Sequence, residues 1–170
     1  WIKLTSTRAP IWAVIVVAVL GLGTAVLLGQ AEYGVLPMPP EKAATGVVAF
    51  GVPVLMVLAA MTVTAEYRSG MIRTTFLTTP NRTRVLCAKA EVGAVAAGLC
   101  AGAATVAAVL TAQLVAPAGA AAGLSLTAPD TWREVAAVGL YAAVAAVLAI
   151  GVAALVRASA VTVAVLLLWP

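Results

Sequence analysis

Residues 64–89 read TAEYRSGMIRTTFLTTPNRTRVLCAK and separate two long apolar runs. The stretch holds five of the chain's ten cationic residues: Arg68, Arg73, Arg82, Arg84 and Lys89. Nothing else in the sequence resembles it. On both sides the chain turns to alanine, valine, leucine and glycine for the length of a bilayer crossing. The fold is read from that contrast, a polar island between apolar helices.

Composition sets the class. Of 170 residues, 64% are hydrophobic and only 9% charged. A soluble domain carries about 25% charged residues, and one of this size could not cover its surface with so few. An all-α polytopic membrane protein is expected. Histidine is absent, which removes the commonest general base and metal ligand. Cys87 and Cys100 are thirteen positions apart and read as small apolar packers. The chain starts on Trp1 and ends inside an apolar run, so it reads as part of a longer protein.

Outward from the island, the pattern predicts five spans, four complete and a fifth begun. Residues 1–10 mix Trp1, Ile2 and Leu4 with Lys3, Arg8 and hydroxyls. They read as an interfacial amphipathic helix, with a disordered leader as the alternative. Residues 11–29 are uncharged and, as a helix, about 28 Å long. Gly21 and Gly23 either admit a neighbouring helix or are merely tolerated. Residues 30–42 form a loop, because Pro37, Pro39 and Pro40 oppose a helix there. Residues 43–64 are the second span, with a kink expected at Pro53 that serves gating or is incidental.

Residues 65–78 form a polar helix, and Pro80-Asn81 breaks it. Residues 83–115 form a third span of about 50 Å, so its first turns project beyond the bilayer. Ala94, Gly98 and Gly102 are spaced for close packing, or match by chance in an alanine-rich helix. Residues 117–130 are a loop. Thr131, Trp132, Arg133 and Glu134 fit a capping box with an interfacial tryptophan. Residues 131–156 are the fourth span, and 161–170 begin a fifth.

Alternation sets orientation. Lys3, Arg8, Arg68, Arg73, Arg82, Arg84, Lys89 and Arg157 fall on one side, and only Lys42 and Arg133 on the other. Cytoplasmic loops carry the excess of lysine and arginine. The N-terminus and the polar island are therefore expected in the cytoplasm of a cell whose plasma or inner membrane holds the chain.

No nucleotide-binding loop, zinc-protease helix or nucleophile elbow occurs. No acid lies deep in a span, and Glu91 falls on the shoulder of its helix, so an intramembrane proton site has little support. The chain is expected to be non-catalytic. Nucleic acid is not among its expected partners. On residue chemistry the island reads either as a protein-docking element or as a solvated loop whose cations touch anionic lipid. Gly70 lies between Glu66 and Arg73, where another surface can pack closely. Tyr67, Met71, Ile72 and Phe76 supply apolar area beside it.

At these residues the sequence resembles the segment between the second and third spans of permease subunits of type-2 ATP-binding-cassette exporters. The family pattern runs roughly E-x-R-x-G-[TML]-[IL]-x-x-x-[LF]-x-x-[TS]-P, with a basic cluster and a lysine beyond. Glu66, Arg68, Gly70, Met71, Ile72, Phe76, Thr79, Pro80 and Lys89 fall on it. The second basic position falls strictly on Thr83, with Arg82 and Arg84 on either side. The leader resembles that family's elbow helix.

The resemblance implies six spans per subunit, a dimer of permeases, and separate ATPase subunits that hold Mg-ATP. It makes Glu66, Tyr67, Arg68, Gly70, Met71, Ile72, Arg73 and Phe76 an ATPase-contacting coupling helix. Pro80, Arg82, Arg84 and Lys89 become the turn and the base of the third span. Residues 157–160 would lie near a second cytoplasmic contact. Two other classes stay open: a membrane scaffold recruiting a cytoplasmic partner, and an ion-coupled carrier.

Overall fold

The structure is a computed structural model that describes residues 8–31, 37–68, 82–156 and 158–168; for residues 8–10, 13, 31, 66–68 and 82 it describes the backbone. Among these residues the chain forms six helices. They are α1 (Arg8–Ala31), α2 (residues 40–68), α3 (Arg82–Val115), the single turn α4 (Ala118–Ala121), α5 (Pro129–Val156) and α6 (Ser159–Leu168). The all-α class stands.

The number of spans does not. Three helices are long and apolar enough to cross a membrane: Pro40–Ala65, Thr83–Val115 and Pro129–Val156. The apolar run described within α1, Val14–Gln30, and the ten residues of α6 are shorter. A crossing needs close to 20 apolar residues, so the described chain carries three candidate spans rather than five. Arg8 to Pro10, the end of the expected interfacial helix, belong to α1. Residues 1–7 lie outside the described residues.

The bundle is packed from small residues. α1 lies against α2 and α3, and α5 lies against the same two from the other side. The largest shared surface is between α3 and α5. Alanine supplies more than half of the buried apolar positions. On α5 the inward positions are mostly small: Thr131, Val138, Ala142, Ala145, Ala146, Ala149 and Ala153, with Ile150 the one large residue among them. Its outward stripe is Leu140, Tyr141, Val144, Val147, Leu148 and Leu155. A water-soluble helix would reverse that arrangement. In lipid there is no hydrophobic drive between helices, and close backbone contact through small side chains replaces it. Three long apolar helices with large residues outward and small residues inward suggest a multi-pass membrane protein.

Two crossings show the close contact. Gly98 on α3 meets Gly139 on α5: a Cβ added to Gly98 would stand 3.0 Å from the Gly139 carbonyl oxygen, and one on Gly139 would stand 3.1 Å from that of Gly98. Gly102 on the same face is at ordinary distance, 3.7 Å from Val135. On α1 the buried positions Val17, Gly21, Ala25 and Gly29 recur every four residues. Gly21 faces Val47 of α2, while Gly23 has open space around it. Of the two glycines that stood open in the sequence, only Gly21 admits a neighbour.

Pro40 opens α2 instead of ending the loop before it. Pro39 is extended, and Pro40 occupies the first turn, where its missing N–H costs nothing. Further along, residues 47–51 form a π turn, in which the Val52 N–H reaches back five residues to the Val47 carbonyl. Pro53 follows at once, so the distortion expected there takes the form of a widened turn just ahead of the proline.

The end of the bundle away from the polar island is closed by its loops. The Met38 N–H donates to the Ala120 carbonyl at 3.1 Å, and the Met38 and Leu124 side chains are fully buried. A Cβ on Gly123 would stand 2.5 Å from the Met38 carbonyl oxygen, so glycine is required for the two loops to seat. The expected capping box does not form. α5 begins two residues earlier, at Pro129, and the buried Thr131 hydroxyl donates to the Ser125 carbonyl at 2.7 Å. Trp132 Nε1 donates to the Leu126 carbonyl at 2.9 Å. Both side chains tie the loop to the helix rather than cap it.

Candidate functional site

The polar island joins the C-terminal end of α2 to the N-terminal end of α3. α2 runs unbroken through Arg68, so Glu66, Tyr67 and Arg68 lie on its last turn as a continuation of the span. Ser69 to Asn81 lie outside the described residues, and with them Gly70, Met71, Ile72, Arg73, Phe76, Thr79 and Pro80. The proposed lever over residues 65–78 is therefore described only at its root.

α3 starts at Arg82. Its 34 residues give a rod of about 51 Å, on the order of 20 Å longer than the hydrocarbon layer. Arg84, Cys87 and Glu91 are exposed in its first turns, and Lys89 is half-buried. Both cysteines are free thiols. Among the described residues no group of three histidine, cysteine or acidic side chains gathers to hold a metal.

Lys89 reaches across to the neighbouring helix. Its Nζ donates to the backbone carbonyl of Thr62 on α2 at 3.3 Å. That carbonyl lies six residues before Arg68, the last described residue of α2. The Thr62 hydroxyl is committed to the Ala59 carbonyl at 2.6 Å, inside its own helix. Lys89 thus braces the base of α3 against the end of α2.

The brace matters because the second half of α2 and α3 otherwise share little surface; both lean on α5. A displacement at the island would reach α2 and α3 together. The excess of positive charge beside it attracts anionic groups, whether acidic side chains or lipid phosphates. The structure brings Lys89 and the root of the island together. It sets Pro53, half-buried and inside the bundle, well over two turns away along α2.

Sequence reasoning missed three elements. Thr62 acts through its backbone, which no residue pattern reveals. Gly139 pairs with Gly98, but on a helix where small residues are so abundant that one glycine is no signal. The π turn follows from Pro53 only once its hydrogen-bond register is seen. Comparison with protein-family models, with curated proteins and with solved structures gives no match to this chain.

Proposed function

We propose that this chain is a membrane-spanning permease subunit of an ATP-driven exporter of the type-2 ATP-binding-cassette class. In this reading the polar island faces the cytoplasm and seats on a separate ATPase subunit that binds Mg-ATP. The single observation that carries it is the junction at the island. α2 continues through Arg68, α3 begins at Arg82 across the polar island, and Lys89 of α3 bonds the Thr62 carbonyl of α2.

Such a junction passes force to two helices at once. The sequence contains no nucleotide-binding motif, so in an ATP-driven machine the energy would enter through a partner. The island is the polar segment large enough to receive it. The agreement of Glu66, Arg68, Gly70, Met71, Ile72, Phe76, Thr79, Pro80 and Lys89 with the exporter pattern adds support. ATP-driven closure of the ATPases would push on residues 66–76 and tilt α2 and α3 together, switching the access of a cavity shared with a second permease.

The test is Mg-ATP hydrolysis by the full protein isolated with its partners from native membranes. Glu66→Ala and Arg73→Ala are each expected to lower permease-stimulated hydrolysis severalfold, with unchanged amounts of permease in the membrane. Undiminished stimulation in both variants would overturn the docking role.

A further inference from the structure

α2 changes neighbours at its π turn. Residues 40–51, before Val52, pack chiefly on α1. Gly46 sits directly against Thr24 and the Leu20 carbonyl, and a Cβ on Gly51 would stand 3.0 Å from Val17 Cγ1. Residues 52–68 pack chiefly on α5, and on α6 as well. The same helix therefore changes its chief neighbour at residues 47–53, from α1 to α5, while α3 packs on both.

The backbone is weakest at that boundary. Pro53 has no N–H to give, so the carbonyl one turn back loses its ordinary donor. The π turn replaces the usual register with a bond that spans five residues, from the Val52 N–H to the Val47 carbonyl. Gly51, the last residue of the turn, adds no side chain to stiffen it. Bending an α-helix in lipid normally means breaking hydrogen bonds that no water can replace. Here that cost is already reduced, because the regular ladder is interrupted before any motion begins. Kinks and functional bends concentrate at such features.

We propose that residues 47–53 are a hinge, at which the half of α2 bearing the polar island bends against the half packed on α1. The proposal concerns the mechanics of this chain and does not depend on the exporter reading. If that reading holds, the hinge lets the island move while the closed end stays shut.

The experiment places paired spin labels on the full protein in lipid nanodiscs. Thr45 and Met61 are exposed on α2 at either side of the hinge, about 24 Å apart along an ideal helix. Val95 and Leu110 are exposed on α3, which is continuous from Arg82 to Val115, and lie about 22 Å apart. The α2 pair is expected to give two populations or a broad distribution of distances, and the α3 pair a single narrow one. Pro53→Ala is expected to abolish the second population in α2. Equal narrow distributions for both pairs in the otherwise unaltered protein would overturn the hinge, and that comparison decides even if the Pro53→Ala protein does not fold. An unchanged α2 distribution in a folded Pro53→Ala protein would overturn the role of the proline.

Discussion

At the end away from the polar island, the loops lock into each other through the backbone. Met38 is swallowed between Ala120 and Leu124, Gly123 makes room for it, and Thr131 and Trp132 pin the following loop to α5. At the island end, the flexible cationic side chain of Lys89 on α3 reaches the Thr62 carbonyl of α2. Buried backbone bonds with matched small residues resist displacement. A lysine on a four-carbon stem holds two helices in register yet lets them travel together. In the proposed function, one end holds and the other transmits.

Four substitutions can break or sharpen that contrast. The largest effect on stability is expected between the ends, at the crossing that both depend on. Gly98→Ile places a branched side chain against the Gly139 carbonyl and should cost about 3 kcal/mol, seen as a clear fall in the thermal midpoint of the detergent-solubilised protein. An unchanged midpoint would mean that α3 and α5 do not cross there. Gly123→Val comes next, at about 2 kcal/mol. Its more telling readout is access: a cysteine replacing Met38 should resist a membrane-impermeant thiol reagent in the parent protein and react after Gly123→Val. Ready labelling in the parent would show that the end is open.

Thr131→Val keeps the side-chain shape, removes the hydroxyl from the Ser125 carbonyl, and should cost about 1 kcal/mol. Lys89→Met should have the smallest effect on stability, below about 1 kcal/mol, because the pair is only part-buried and screened by solvent. If the ends divide their roles as described, Lys89→Met should nonetheless weaken stimulated ATP hydrolysis more than Thr131→Val does. The reverse order would erase the distinction between holding and transmission.

The sequence made the class of fold plain, because 9% charge leaves few alternatives, and it located the long helices to within a few residues. Residues 83–115 as a single rod and 131–156 as a span match α3 and α5 closely. The count of spans was less legible. Among the described residues three helices are long and apolar enough to cross a membrane. The helix start at Pro40 was obscured because a proline ends a helix in most positions yet opens one in its first turn. Thr131 shows the same limit from the other side. A threonine three residues before a glutamate has the spacing of a cap, but the helix starts two residues earlier and turns the hydroxyl to Ser125. Within the candidate site, Glu66 to Arg68 lie on the last turn of α2, which the sequence ended at residue 64, and Arg82 to Lys89 lie in the first turns of α3. The Lys89–Thr62 brace was not legible, since a backbone carbonyl leaves no mark in a residue pattern.

The central claim is that an ATP-binding subunit sits on the polar island. The most direct measurement is photo-crosslinking in native membranes from a benzoylphenylalanine in place of Met71, with ATP-binding chains tagged by azido-ATP. The account predicts a crosslink between the full permease and an azido-ATP-tagged chain, lost or strongly reduced when Glu66→Ala is added. If no tagged chain crosslinks, although a cysteine replacing Thr74 is labelled from the cytoplasmic side, the island faces the cytoplasm without an ATPase upon it and the account is contradicted.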